Sequence, residues 1–137
     1  MNPKTPRKRS AAEPQRAILL VDHGSRSTVA NRVIAALARK LRRRLPGAIV
    51  EFAHMEVAPP TIAEAVDACV AAGAREIVVH PYFLAPGLHG RRDVPALARA
   101  AARRHRGVRV RVTAPLGGHD LLVDVVLDRV RQAAGMP

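Results

Sequence analysis

Two histidines and a glutamate stand at the ends of three apolar runs in the chain. His23 follows the first run, Glu56 lies at the end of the second, and His89 lies in the loop after the third. Imidazole and carboxylate groups bind divalent first-row metals, and the same groups accept protons near neutral pH. Each histidine taken singly is more often a capping or surface residue. Together, the three residues predict a site that binds metal, moves protons, or does both.

Polar and basic residues accompany both histidines. Ser25 and Arg26 follow His23, and Arg91 and Arg92 follow His89. Guanidinium groups bind carboxylates through paired hydrogen bonds, so the pattern indicates an anionic organic ligand beside the metal. Surface arginines that serve only solubility are the alternative interpretation.

Apolar runs alternate with helix-period segments along the whole chain. The spacing of Val29, Val33, Leu37 and Leu41 is typical of one helix face, and Thr61 with Glu64 has the capping-box spacing. Strands are expected at 17–24, 48–57, 76–84 and 108–116. Helices are expected from Ser27 or Thr28, from Thr61 to Gly73, from the N-cap Asp93 to Arg104, and from His119 to Ala133.

This alternation predicts a single-domain α/β fold: an open, parallel, four-stranded sheet with helices on both faces. Ligands of open α/β sheets bind beyond the carboxyl ends of the strands. His23, Glu56 and His89 all follow strand ends, so they are expected to converge at one edge of the sheet.

The remaining histidines and the cysteine have simpler explanations. His54 and His80 fall inside strands and predict core or sheet-face residues, whereas His105 and the basic run 39–44 predict solvated helix ends. His119 is expected to cap the last helix. Cys69 is expected to pack in the core beside Ile62, Ala65 and Val66. The chain contains no GxGxxG, P-loop or GxSxG motif.

The amino-acid composition and the net charge limit the classes of molecule that the protein is expected to bind. The chain has 137 residues and a formal net charge of +12, which predicts attraction to polyanions. Nucleic acid is one candidate, but single-strand and RNA binders use aromatic stacking platforms, and the chain has no Trp, one Tyr and two Phe. A small carboxylated or phosphorylated ligand explains the charge equally well.

The cysteine count, the absence of long apolar segments and the N-terminal composition predict the cellular location and the domain boundaries. A single cysteine excludes a disulfide framework and a CxxC metal site, and the sequence shows neither a signal-peptide core nor a membrane span. We expect a soluble, cytoplasmic protein with no membrane partner. Residues 1–16 are rich in Lys, Arg and Pro and predict a disordered basic tail, with the α/β domain at 17–134.

Four motifs in this order resemble those of the small sirohydrochlorin chelatases, which insert Co²⁺ or Fe²⁺ into a tetrapyrrole. They are "DHGSR" at 22–26, "MEVAPPTIAEA" at 55–65, "PYFLAPGLHGRRDVP" at 81–95 and "PLGGHDLL" at 115–122. The resemblance extends over essentially all of residues 17–133.

The resemblance implies roles for the site residues. His23 would bind metal and accept a proton, His89 would be the second metal ligand, and Glu56 would assist both steps. Two pyrrole protons leave as the metal enters, so neutral imidazoles suit both tasks. The macrocycle would bind Ser25, Arg26, Leu84, Ala85, Pro86, Gly87, Leu88, Arg91 and Arg92.

The resemblance also bears on assembly and on cofactors. Longer members of that family contain two such domains, so a single unit implies a homodimer with a shared cleft. The activity would serve cobalamin or siroheme biosynthesis, with cobalt, iron or nickel as the metal. No cofactor is retained, because the divalent metal is a substrate.

Two alternatives remain open: a tetrapyrrole or metal carrier without turnover, and a nucleic-acid-binding module suggested only by charge.

Overall fold

Strands and helices alternate four times along the chain, as the sequence predicts. The computed structural model describes residues 15–85 and 94–137. The elements are β1 (Arg16–Asp22), α1 (Thr28–Arg44), β2 (Ile49–His54), α2 (Ile62–Ala71), β3 (Glu76–Pro81), α3 (Val94–Ala102), β4 (Arg109–Val112) and α4 (Leu121–Ala134).

The four strands form one parallel sheet in the order β2-β1-β3-β4. The chain leaves β1 in one direction to form β2 and crosses back to form β3, so the strand order reverses between β1 and β3. A crevice opens at such a reversal, beyond the carboxyl ends of the two strands. The loops that follow β1 and β3 therefore flank the expected binding position.

Helices cover both faces of the sheet, as expected. On one face, Ile34 and Ala38 of α1 are buried against Leu20 and Val50. On the other face, α2 and α3 cover a larger cluster, which includes Cys69. Burial raises the pKa of the Cys69 thiol to about 12, and the nearby charge of Glu51 adds to this effect. The expected core position of Cys69 is therefore confirmed.

Side chains cap two of the helices where the sequence predicts caps. The Ser27 hydroxyl accepts a hydrogen bond from Ala30 N at 3.3 Å, and the Thr61 hydroxyl accepts one from Glu64 N at 3.1 Å. Each bond satisfies a backbone N–H group that has no partner within its helix. Both helices therefore begin where the local sequence directs them to begin.

Several boundaries differ from the expected ones. Strands β2, β3 and β4 end at His54, Pro81 and Val112, because the residues beyond them form loops rather than ladder pairs. At the other end, the Gln15 carbonyl accepts hydrogen bonds from Arg75 N and Glu76 N. The contacts of β1 therefore begin before residue 17, while residues 1–14 lie outside the described part of the chain.

One expectation of a solvated group is wrong. His105 is only 24% exposed, and its Nε2 lies 2.6 Å from Asp67 Oδ1, an atom of α2. The basic residues of the run 39–44 are exposed, as expected, although Arg42, whose side chain is 43% exposed, also donates from both Nε and Nη2 to the Val50 carbonyl. Asp67 is 38 residues from His105, and Val50 lies across a turn from Arg42, so the composition around each side chain does not indicate either contact.

A buried carboxylate joins the amino ends of three strands. Glu76 is 1% exposed, and its oxygens lie 3.1 Å from Arg16 and 2.6 Å from Arg111. Burial alone would raise the pKa of Glu76, but the Arg16 hydrogen bond and the charges of Arg16, Arg111 and Arg109 together hold it below its usual value. The carboxylate is therefore ionised at neutral pH.

Candidate functional site

His23 occupies the first position after β1, where its side chain is exposed. The next residue, Gly24, has a φ of +87°, and a Cβ atom there would lie 2.0 Å from the Glu56 carbonyl oxygen. Only glycine fits both this conformation and this close approach. The glycine therefore allows the loop after β1 to lie directly against the loop after β2.

Backbone hydrogen bonds fix these two loops to each other. Met55 N donates to the Asp22 carbonyl at 2.8 Å, and Glu56 N donates to the His23 carbonyl at 3.1 Å. The Glu56 side chain is exposed, and Val57 beside it has a φ of 75°, which is strained for a β-branched residue. His23 and Glu56 therefore lie on adjacent loops at one edge of the sheet, as the sequence predicts.

The imidazole of His23 is oriented by an aromatic ring that the sequence reading did not single out. Phe83, two residues after β3, stacks on it with ring centroids 4.2 Å apart and an interplanar angle of 24°. Tyr82 N donates to the Val21 carbonyl, which holds this segment beside the end of β1. The sequence signal that could have indicated this contact is the rarity of the residue, because Phe83, in "PYF" at 81–83, is one of only two Phe in the chain.

Buried His54 and partly buried Asp22 form a pair at the end of β1, next to His23 in the chain. His54 is 2% exposed, and its Nδ1 lies 2.5 Å from Asp22 Oδ1, which also accepts a hydrogen bond from Gly24 N. Asp22 and His54 are register partners in β1 and β2. His54 is therefore a satisfied core residue, as expected, and the carboxylate of Asp22 ties it to the turn that carries His23.

The loop after β4 joins the same edge of the sheet. Leu116 N donates to the Phe83 carbonyl at 2.8 Å, and Gly117 packs so closely on Leu84 that a Cβ atom would lie 1.6 Å from the Leu84 carbonyl oxygen. His119 Nδ1 accepts a hydrogen bond from Leu121 N, which confirms its expected capping role at α4. Four loops thus meet at the carboxyl ends of the strands.

The predicted substrate-binding residues are only partly within the described structure. The Ser25 hydroxyl accepts a hydrogen bond from Ser27 N, and the Ser25 backbone is held at both ends by the Asn31 side chain. Arg26, Leu84 and Ala85 are exposed at this edge. Outside the described residues lie Pro86, Gly87, Leu88, His89, Arg91 and Arg92, together with the expected N-cap Asp93.

The predicted ligands His23, Glu56 and His89 carry donor atoms that suit a divalent metal. Of these three residues, His23 and Glu56 lie within the described part of the chain. Residues 15–85 and 94–137 contain no cluster of three or more His, Cys, Asp or Glu side chains placed to hold a metal. His23 and Glu56 supply one imidazole and one carboxylate. The second imidazole of the predicted set, His89, lies in the segment 86–93.

Comparisons with known proteins identify relatives over nearly the whole chain. The CbiX family model matches residues 17–133. A chloroplastic sirohydrochlorin ferrochelatase of Arabidopsis thaliana is 44% identical over 83% of this chain and 51% of its own length. The sirohydrochlorin cobaltochelatase of Methanocaldococcus jannaschii is 32% identical over 82% of this chain and 96% of its own length.

Solved structures share the fold. SirB from Bacillus subtilis with Fe³⁺ has a TM-score of 0.79 and 32% identity over 90% of this chain and 48% of its own. A CbiX protein from Marinobacter aquaeolei VT8 has a TM-score of 0.75 and 29% identity over 88% and 98%. This chain thus spans about half of some relatives and nearly all of others.

Proposed function

Because the chain belongs to the CbiX family, we propose that it is a metal chelatase that inserts Co²⁺ or Fe²⁺ into sirohydrochlorin or a related tetrapyrrole. The product would enter cobalamin or siroheme biosynthesis. The observation that carries this proposal is the stacked imidazole of His23 at the strand-order reversal, on a loop fixed to that of Glu56.

Metal insertion requires a group that holds the ion and a group that accepts the protons displaced from the pyrrole nitrogens. A neutral imidazole performs both tasks, since it has a lone pair for the metal or for a proton. We assign these roles to His23 and His89, with Glu56 assisting by its negative charge. The stack on Phe83 limits rotation of the His23 ring, so its lone pair keeps one direction as the metal leaves.

The macrocycle would lie on the exposed edge formed by Leu84 and Ala85, continued by Pro86, Gly87 and Leu88. Its carboxylates would be bound by the Ser25 hydroxyl and by Arg26, Arg91 and Arg92. Guanidinium groups suit this task because they donate two parallel hydrogen bonds to a carboxylate. The net charge of +12 favours the same multiply carboxylated ligand.

We also propose that two copies form a homodimer, since the chain matches about half of several relatives and one unit supplies one wall of the cleft. The metal would be a substrate, with no retained cofactor. Among the described residues, no helix is long and apolar enough to cross a membrane. The cytoplasmic location and the absence of a nucleic-acid partner stay predictions from composition.

Anaerobic incubation with sirohydrochlorin and Co²⁺, Fe²⁺ or Ni²⁺ in turn tests the activity, with the absorption change on insertion as the readout. His23→Ala and His89→Ala should nearly abolish insertion while the protein stays folded. His119→Ala is the matched control, because it removes an imidazole at the same edge whose role is capping. A protein that binds the macrocycle without any insertion would be a carrier, and insertion by folded His89→Ala at the wild-type rate would contradict the site assignment.

A further inference from the structure

Strand β4 forms one edge of the sheet, and among the described residues β3 is the only strand that pairs with it. The N–H groups of Arg109 and Thr113 donate to carbonyl groups of the segment that contains β3. Because these groups alternate in direction along a strand, the N–H and C=O groups of Val110 and Val112 point away from β3. An open edge of this kind is a template for a further strand.

A groove of about 300 Å³ lies beside this edge, between β4 and the end of α3. Its lining combines three apolar side chains with two guanidinium groups and an imidazole, from Ala102, Val108, Val110, Arg99, Arg103 and His105. Successive side chains of a strand point to opposite faces of its sheet. A strand added at the β4 edge would therefore place every second side chain over the groove.

The residues around the edge carry an unbalanced positive charge. Residues 94–112 contain no Asp or Glu but six arginines, at positions 99, 103, 104, 106, 109 and 111. Carboxylates on α2 and β3 pair with Arg104 and Arg111. Arg99 and Arg103 are exposed, and no carboxylate of the described residues pairs with either. Guanidinium groups donate two parallel hydrogen bonds to a carboxylate, so both arginines suit an acidic side chain.

The sequence of β4 disfavours pairing with the same strand of a second copy. The strand reads RVRV, and an antiparallel pair of two such strands that continues the sheet would place arginine opposite arginine. Like charges directly opposite each other destabilise a sheet. Residues 1–14 of the chain are also basic, so charge opposes their addition as well. Nucleic acid has no peptide backbone to pair with the open edge, which leaves an acidic polypeptide as the ligand that matches both the edge and the charge.

We infer that the β4 edge binds an extended, acidic segment of a partner protein, which adds a strand beside β4 and places carboxylates against Arg99 and Arg103. Main-chain hydrogen bonds to Val110 and Val112 supply affinity, and the arginines select the acidic sequence. The groove lies beside the amino end of β4, whereas the candidate functional site lies beyond the carboxyl ends of the strands. The partner can therefore bind while the candidate site stays accessible.

Fluorescence anisotropy with a defined peptide tests the groove. The probe is a fluorescein-labelled octapeptide of alternating Glu and Val with blocked ends, and the full-length protein should bind it. Arg99→Glu with Arg103→Glu should weaken binding by at least about 10-fold, because charged hydrogen bonds are lost. Arg39→Glu with Arg43→Glu is the matched control: it changes the net charge equally at exposed positions of α1 and should stay within about 2-fold of wild type at physiological salt. No binding to the wild-type protein, or equal losses in the two variants, would overturn the inference.

Backbone-modified peptides separate strand addition from attraction between charges. Only every second N–H group of an added strand points towards β4. Of two peptides N-methylated at all Val or at all Glu residues, one should therefore bind like the parent peptide and the other at least about 10-fold more weakly. Equal binding of the two would refute strand addition, and tighter binding of a single-stranded oligothymidylate of equal charge would identify a nucleic-acid surface instead. The readout is binding, so it is independent of whether the protein inserts metal.

Discussion

The imidazole of His23 lies flat against the ring of Phe83, with their centroids 4.2 Å apart, and so joins the loop after β1 to the segment after β3. These two strands are neighbours in the sheet and flank the point where the strand order reverses. The stack therefore fixes the direction of a proposed metal ligand at the position where α/β sheets bind their ligands.

Replacing Phe83 should slow metal insertion without unfolding the protein. Phe83→Leu keeps an apolar side chain against the core but removes the aromatic face, and aromatic pairs contribute about 0.5–1.5 kcal/mol. We expect the insertion rate at saturating substrate to fall about 2- to 10-fold. Phe83→Tyr, which keeps the ring, is the control. Equal rates for the Leu and Tyr variants would show that the stack does not position His23.

The Asp22–His54 pair should contribute measurably to stability. Asp22→Ala leaves the buried imidazole and Gly24 N without their acceptor, which we expect to lower the free energy of unfolding by about 1–3 kcal/mol. Asp22→Asn retains an acceptor oxygen at the same position and should cost less. Urea unfolding at pH 7 measures both. Equal losses for the two variants would mean that charge, rather than the hydrogen bonds, holds the pair.

The sequence predicted the elements well because their signals are local. Ser27 and Thr61 cap helices through residues three positions away, and the alternation of strands and helices places His23 and Glu56 at one edge under any parallel order. The pairs His23–Phe83 and Asp22–His54 depend instead on strand order and register, which no single segment encodes. Likewise, Arg42 reaches Val50 across a turn, and the apolar residues of α4 gave no indication that none of them would be buried.

The contact between α2 and the end of α3 should make stability fall in acid. A hydrogen bond from His105, together with one from Arg104, holds the pKa of Asp67 below the usual 3.8. Because the folded state favours the ionised carboxyl, this stabilisation is fully present above the unfolded pKa and is lost as the pH falls through the folded value.

Asp67→Asn should therefore flatten the decline of the unfolding free energy between about pH 5 and pH 2. Urea titrations at several pH values measure the slope. Glu64→Gln, which changes an exposed carboxylate in the same helix, controls for the loss of one negative charge. A wild-type slope in the Asp67→Asn protein would show that the contact with His105 does not persist in solution.

Arg91 and Arg92 should determine affinity for the substrate more than turnover. Arg91→Gln and Arg92→Gln each remove a charged donor for a tetrapyrrole carboxylate, which we expect to weaken binding by about 1–3 kcal/mol for each hydrogen bond lost. The metal and proton groups are unchanged, so turnover at saturation should change less. Steady-state rates across a range of sirohydrochlorin concentrations separate the two effects.

Arginines at the C-terminal end of α1 serve as controls for this comparison. Arg42 is not among them, because its side chain is hydrogen-bonded to the Val50 carbonyl. Arg39 and Arg43 are exposed at the opposite end of the fold, and their replacement by Gln should leave both binding and stability within about 0.5 kcal/mol of wild type. Arg42→Gln removes two hydrogen bonds to the Val50 carbonyl and should lower stability without affecting substrate binding. If the α1 changes weakened substrate binding and the changes at Arg91 and Arg92 did not, the basic surface would serve another ligand, because a macrocycle bound beside His23 does not reach the far end of α1.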